Sequence, residues 1–258
     1  MGGRSVVDAE TAGQADSIAA ALREEEVHVW SARLDLPRET IQRLERLLNS
    51  EEAARASRFH FVRDRDAFTV ARGVLRTLLG RYLGERPEKI RFACGPYGKP
   101  TLAPEWPTEL CFNLSHSESL ALFAFARSTE VGIDVERLRP QPDLDEIANR
   151  FFSKEEVSAL RRLPANAREK AFFSCWTAKE AYIKGIGEGL SMPLDRFAVS
   201  LDPPEGPIRL RVLDLGAAAP AWGLYRFEPH PGYVAALAVE GDGFHLRFCR
   251  WSPDGQTC

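Results

Sequence analysis

Cysteine is scarce and unpatterned in this chain. The five cysteines among 258 residues, Cys94, Cys111, Cys175, Cys249 and Cys258, are odd in number and scattered, with no Cys-x-x-Cys pair and no histidine at zinc spacing. That excludes a zinc ribbon or a disulfide framework and reads as buried or idle thiols. Long apolar runs are lacking too, so no membrane contact is expected. Between Met1 and Glu26 there is no apolar core of the kind a signal peptide needs, and Val6 stands where a myristoylation signal wants Ser or Thr. A cytoplasmic address follows by default. Basic excess is missing as well: a net charge of -3 lacks the positive field that non-specific nucleic-acid binding requires. Neither a Gly-x-x-x-x-Gly-Lys-Ser/Thr loop nor a Gly-x-Ser-x-Gly elbow occurs, which removes P-loop and serine-hydrolase chemistry.

What is present suits an ordinary globule, since 44% apolar content can bury a core as one large domain or two joined halves. Helical periodicity covers Arg38 to Arg58 and Arg65 to Leu83, and short apolar strands follow at Ile90 to Ala93, Leu110 to Leu114 and Leu120 to Ala126. A further strand near Asp134 opens a second run of helices, at 143–150, 153–163 and 167–184. Strands then close the chain at 197–201, 208–213, 222–227, 234–239 and 244–248, and fit an antiparallel sheet. Helices followed by strands, twice over, argue α+β architecture in two similarly built halves, with no internal repeat visible residue by residue. The division reads as a loose arm at 1–25, a first half at 26–128, a second half at 129–250 and a tail at 251–258.

The chemistry is concentrated in acids from two separated segments. In Val131-Gly-Ile-Asp134-Val-Glu136 the alternation puts the apolar residues on one strand face and both carboxylates on the other. In Trp176-Thr-Ala-Lys-Glu180-Ala-Tyr-Ile-Lys184, Glu180 and Lys184 stand four apart and share a helical face. Taken singly, these are two acids on an edge strand and a surface ion pair worth a few tenths of a kcal/mol. Their apolar surroundings argue instead for an interior site, where unpaired acids are costly and a cation relieves their repulsion. Three carboxylates without His or Cys ligands suit a hard divalent ion, Mg²⁺ first. Lys99 follows a turn, while Asn113, Ser115 and His116 end an apolar strand in a polar corner; alone, each satisfies local backbone groups.

Taken in order, Gly98-Lys99-Pro100, Phe112-Asn-Leu-Ser115-His116-Ser117, Gly132-Ile-Asp134-Val-Glu136, Arg150-Phe-Phe-Ser-Lys-Glu-Glu156 and Trp176 to Lys184 closely resemble the 4'-phosphopantetheinyl transferases of the surfactin-synthetase type. The resemblance implies a monomeric pseudo-dimer of two α+β halves with coenzyme A in the cleft between them. It also implies transfer of the phosphopantetheine arm to a serine of an apo acyl or peptidyl carrier protein, with release of adenosine 3',5'-bisphosphate. By that resemblance Asp134, Glu136 and Glu180 hold Mg²⁺, with Mn²⁺ as a possible replacement, and Lys184 contacts phosphate oxygens. Lys99, Ser115 and His116 grip the nucleotide end, and Arg63 and Arg72 match basic positions that meet coenzyme A phosphates. Glu180 is the general base, directly or through a metal-bound water, with Glu136 the weaker alternative. Because carrier proteins are usually acidic, the docking face is expected among Arg137, Arg139, Arg150, Lys154, Arg161, Arg162 and Arg168, around Phe151 and Phe152. The alternatives are a Mg²⁺-dependent nucleotidyl transferase or diphosphatase, and a catalytically silent coenzyme A-binding module.

Overall fold

The computed structural model describes residues 22–106, 108–189, 192–201, 206–212 and 221–257. Apart from its end, the expected N-terminal arm lies outside them; Leu22 is already buried in the core, and Glu25 O accepts from the His245 N–H at 2.8 Å.

The first part of the chain runs β1 (Glu26–Arg33), α1 (Arg38–Glu45), α2 (Ser50–Ser57), α3 (Val62–Leu83), β2 (Phe92–Cys94), β3 (Pro100–Leu102), β4 (Leu110–Ser117) and β5 (Leu120–Arg127). The second runs β6 (Val131–Arg137), α4 (Leu144–Phe151), α5 (Lys154–Arg162), α6 (Ala165–Ile186), β7 (Phe197–Val199), β8 (Gly206–Ile208), β9 (Leu210–Val212), β10 (Trp222–Phe227) and β11 (Tyr233–Glu240). β12 (His245–Ser252) and β13 (Gly255–Thr257) complete the described chain. Helical periodicity over Arg38 to Arg58 resolves into two helices: the first ends at Glu45 with Arg46 as its C-cap, and Asn49 starts the next. Its Oδ1 accepts from the Glu52 N–H at 2.9 Å while Glu52 Oε2 accepts from the Asn49 N–H at 3.0 Å, a reciprocal capping box.

Two sheets pack face to face, each with a long helix on its outer side. In the first, of order β13-β12-β1-β5-β4, alternate residues go opposite ways. Trp30, Phe123 and Phe125 meet α3, whereas Val27, Val29, Leu122 and Ala124 face the second sheet. The second sheet, β6-β11-β10-β8, sends Val234, Ala236 and Ala238 to α6 and Val131, Ile133, Tyr233 and Leu237 to the inter-sheet core. β5 is buried on both faces, which explains why it reads as a continuous apolar run.

Several sequence-level assignments change. Of the strands expected at 197–201 and 208–213, β7 and β9 pair with each other as a separate two-stranded antiparallel sheet instead of joining the second sheet. The strand expected at 244–248 does not join the second-half antiparallel sheet: as β12 it runs parallel to β1, with Val29 opposite Phe248, and so belongs to the first sheet. The expected tail at 251–258 is likewise structured, since Trp251 and Ser252 pair with Gln256 and Gly255 across the β12–β13 turn. Parallel neighbours far apart in sequence leave no local turn signal, which is why pattern alone assigns the strand to its nearest antiparallel neighbours. Cys94, Cys111 and Cys175 are free thiols, whereas Cys249 is disulfide-bonded, which corrects its reading as an idle thiol. Among the described residues, no helix is long and apolar enough to cross a membrane.

Candidate active site

β6 is the edge strand of the second sheet, and the side not taken by β11 faces β4 of the first. β4 meets that edge with side chains. Asn113 Oδ1 accepts from the Ile133 N–H at 3.0 Å and Ser117 Oγ accepts from the Arg137 N–H at 3.1 Å. The same strand reaches both acids: Ser115 Oγ donates to Asp134 Oδ1 at 2.8 Å and Ser117 Oγ donates to Glu136 Oε2 at 2.9 Å. An edge blocked in this way cannot recruit another strand. The two carboxylates are thereby fixed at the seam between the halves.

Helix α6 approaches the seam from the second half, and glycine makes the approach possible. A Cβ on Gly132 would lie 2.1 Å from Ala181 O and 2.2 Å from Gly185 N, so helix and strand backbones touch. At that separation Lys184 Nζ donates to Asp134 Oδ1 at 2.6 Å, to Ser115 Oγ at 3.1 Å and to Ile133 O at 3.4 Å. Glu180 lies one turn earlier on the same helical face. Remote segments carrying Asp134, Ser115 and Lys184 therefore meet within hydrogen-bond distance.

The three acids sense one another. Burial, followed by the charge of Asp134, pushes the Glu180 carboxyl from its ordinary 4.5 up to about 6, with Lys184 opposing and Glu136 adding. Burial and then Asp134 raise Glu136, against the Ser117 hydrogen bond and the charges of Arg139 and Lys184. Asp134 Oδ2 is buried without a partner. An orphaned carboxylate oxygen and two neighbours held toward their neutral forms make a donor set that fits a hard divalent cation. Among the described residues, however, no three acidic, His or Cys side chains close around one point. The Lys184 ammonium holds the Asp134 Oδ1 corner.

The other expected contacts divide into two groups. His116 at the end of β4 keeps solvent access but has protein packed around its ring, so its cation is disfavoured first by desolvation and then by Lys184, while Asp134 and Asp64 act the other way. Arg63, 80% exposed on the first turn of α3, lies 3.4 Å from Glu118, two residues past His116. Of the two, His116 senses the charges of Lys184 and Asp134. Lys99 instead spends its ammonium on Glu130 Oε2 at 2.6 Å, Gly185 O at 2.8 Å and Val131 O at 3.1 Å, pinning its loop to the start of β6 and the end of α6. Arg72 is not brought to the acids. Its Nε donates to Glu52 at 2.8 Å and its guanidinium lies 4.3 Å from the centre of the Phe92 ring.

Sequence reasoning missed Ser117, whose signal was its alternation with Asn113 and Ser115 on one strand. It also missed the duty of Lys179 and Glu156. Lys179 is fully buried, donating to Glu156 Oε2 at 2.8 Å, Leu194 O at 2.7 Å and Phe197 O at 2.6 Å. Glu156 additionally accepts from the Ser153 and Val199 N–H groups, each at 2.8 Å. Of the apolar centre expected for a docking face, Phe152 is 4% exposed, whereas Phe151 is half-buried and packs edge-on against Trp176.

The sequence matches the description of the 4'-phosphopantetheinyl transferase superfamily over residues 130–238 and that of the 4'-phosphopantetheinyl transferase N-terminal region over residues 36–128. It is 43% identical to the 4'-phosphopantetheinyl transferase HetI of Nostoc sp. over 228 residues, 88% of this chain and 93% of the relative. The chain belongs to the 4'-phosphopantetheinyl transferases. It is also 32% identical to the 4'-phosphopantetheinyl transferase Sfp of Bacillus subtilis, over 84% of this chain and 93% of that protein. The pair of family matches meets near residue 129, at the turn between β5 and β6, and agrees with a two-part α+β fold. A 4'-phosphopantetheinyl transferase takes coenzyme A as substrate and acts on carrier proteins. Neither the diphosphatase nor the silent-module alternative finds support in these matches.

Proposed function

We propose that the β4–β6–α6 seam is where this transferase moves the phosphopantetheine arm of coenzyme A to a carrier serine, with the chain acting as a monomer and with the first half, completed by β12, and the second half, from β6 to β11, forming the walls of the cleft. The supporting observation is the Glu180 carboxyl held up at about 6 beside Asp134 and Lys184, a value suited to a base that must take and lose a proton near neutrality. The carrier serine oxygen bonds to the phosphorus on the pantetheine side of the pyrophosphate. The bond from that phosphorus to the bridging oxygen breaks, adenosine 3',5'-bisphosphate leaves, and the serine proton passes to Glu180.

Asp134, Glu136 and Glu180 would hold Mg²⁺ or Mn²⁺, which when bound would neutralise charge on the pyrophosphate oxygens. Lys184 serves the phosphate oxygens from the same helix face as Glu180. Ser115 orients Asp134 and Lys184 together, while His116 and Arg63 offer positive or neutral donors to the nucleotide end. Lys99 and Arg72, which match positions that meet coenzyme A in the family resemblance, also anchor the walls through Glu130 and Glu52. Incubation of the chain with coenzyme A, Mg²⁺ and an apo carrier protein should add the mass of one phosphopantetheine arm to the carrier, and Glu180→Gln should slow that gain by about 10²–10⁴-fold with the fold intact. Normal labelling by the variant would remove Glu180 from the reaction. The bisphosphate appearing without a labelled carrier would convert the reading to hydrolysis.

A further inference from the structure

The Lys184 ammonium has three N–H donors and faces three acceptors, Asp134 Oδ1 at 2.6 Å, Ser115 Oγ at 3.1 Å and Ile133 O at 3.4 Å. A lysine so committed is no longer presenting donors to a phosphate. It also places a positive charge on the oxygen that a divalent cation would need, while Asp134 Oδ2 has no partner. A dication entering here would meet like charge within a few ångströms, and such contacts weaken binding unless one charge moves away. Lys184 can move: its side chain is 30% exposed, and its flexible stem leaves an α6 backbone locked to β6 by the Gly132–Gly185 contact.

We infer that Lys184 is the resident counter-ion of Asp134 in the resting enzyme, and that the coenzyme A pyrophosphate must draw it off before a divalent ion takes full hold. Metal and coenzyme A consequently load as a coupled pair, each raising the affinity for the other by the same factor. The device also prevents three clustered acids from holding an ion in the absence of substrate. It rests on the proposed carboxylate metal site, and the experiment separates the two.

Mn²⁺ binding to the full chain is measured by electron paramagnetic resonance of the free ion, with and without coenzyme A and with no carrier protein present. Ion bound by coenzyme A alone is subtracted. Wild type, Lys184→Met, Ser115→Ala and Glu180→Gln are compared after circular dichroism shows each to be folded. Without coenzyme A, Lys184→Met should bind Mn²⁺ at least about tenfold more tightly than wild type, the effect of removing one adjacent positive charge. Adding coenzyme A should tighten the wild type by a larger factor than it tightens Lys184→Met, because only the wild type has the Lys184 charge to be drawn away. Ser115→Ala, which removes one acceptor from the ammonium, should shift the metal-only affinity in the same direction by a few fold, and supplies the answer if Lys184→Met does not fold. Equal metal-only affinity in wild type and both of these variants overturns the counter-ion role. Absence of Mn²⁺ binding in every form, with coenzyme A present, overturns the metal site itself.

Discussion

Glu180→Gln separates what the acid cluster costs the fold from what it gives the reaction. In the folded chain the Glu180 carboxyl rises from 4.5 to about 6, chiefly through burial and then through Asp134. Below the lower value the side chain is protonated folded and unfolded alike, and it contributes nothing to pH dependence. Between 4.5 and about 6 the unfolded chain releases the proton that the folded chain keeps. The unfolded state then binds fewer protons, so stability falls as pH rises through that window and stays low above it. Each pKa unit is worth about 1.4 kcal/mol, which puts the full penalty at about 2 kcal/mol and, with partial exposure screening the charge, at about half that.

Glutamine is neutral throughout and escapes the penalty. In chelator-treated protein near pH 8, Glu180→Gln should therefore melt about 2–4 °C above wild type, and the gap should shrink toward about pH 5. Mg²⁺ added on top of coenzyme A should raise the melting temperature of wild type further and leave that of the variant nearly unmoved, because an ion bound only by the folded state stabilises it. Carrier labelling by the same variant should drop by about 10²–10⁴-fold if Glu180 takes the serine proton. Melting curves that coincide at both pH values, or a variant less stable than wild type near pH 8, would refute the electrostatic reading of the cluster.

Gly132→Ala would force a methyl group onto the backbone of Ala181 and Gly185, so α6 must lift from β6; urea titration should show a loss of about 1–3 kcal/mol or more, and labelling should fall further than the fraction unfolded explains. Lys179→Met should cost about 3–5 kcal/mol by stranding the Glu156 carboxylate, and a double variant with Glu156→Gln should recover part of it; additivity of the two losses would deny their coupling. Arg63→Ala should raise the KM for coenzyme A without moving the melting temperature, as expected of an 80% exposed side chain beside Glu118. Arg72→Ala should do the reverse, since it removes a partner of Glu52 that also lies against Phe92.

Local periodicity carried much of the fold. The β6 alternation put Val131, Ile133 and Val135 in the inter-sheet core and left Asp134 and Glu136 on the other face, toward α6. The four-residue step from Glu180 to Lys184 brought both to one side of α6. What periodicity could not show was pairing between distant segments. Nothing in Phe244 to Phe248 signals a parallel partner near residue 27, because the hydrogen bonds that decide it join opposite ends of the chain. Lys99 and Lys184 look alike on paper. Only the fold reveals that three backbone or acidic acceptors bind the first at the periphery of the seam, and that the second stands among the acids. Arg72 and Arg63 separate in the same way, by burial that a helical stretch of mixed charge does not announce.

One device occurs in both halves, although no repeat is visible in the residues. In the first, Asn49 and Glu52 cap α2, and the Glu52 carboxylate also accepts from Arg72 and Arg76 of the long helix α3. In the second, Ser153 and Glu156 cap α5, and the Glu156 carboxylate also meets Lys179 of the long helix α6. Each half thus ties a short helix to a long one through a buried glutamate, the echo expected of a pseudo-dimer. The consequence for chemistry lies in the second copy. Successive residues on a helix are turned by about 100°, so a Lys179 fixed inward on Glu156, Leu194 and Phe197 sets the rotation of α6 about its own axis. That rotation directs Glu180, the next residue, and Lys184, one turn further on, toward β6. On the proposed role of Glu180, the lysine inside the Trp176 to Lys184 motif would act on the reaction through its neighbour's aim.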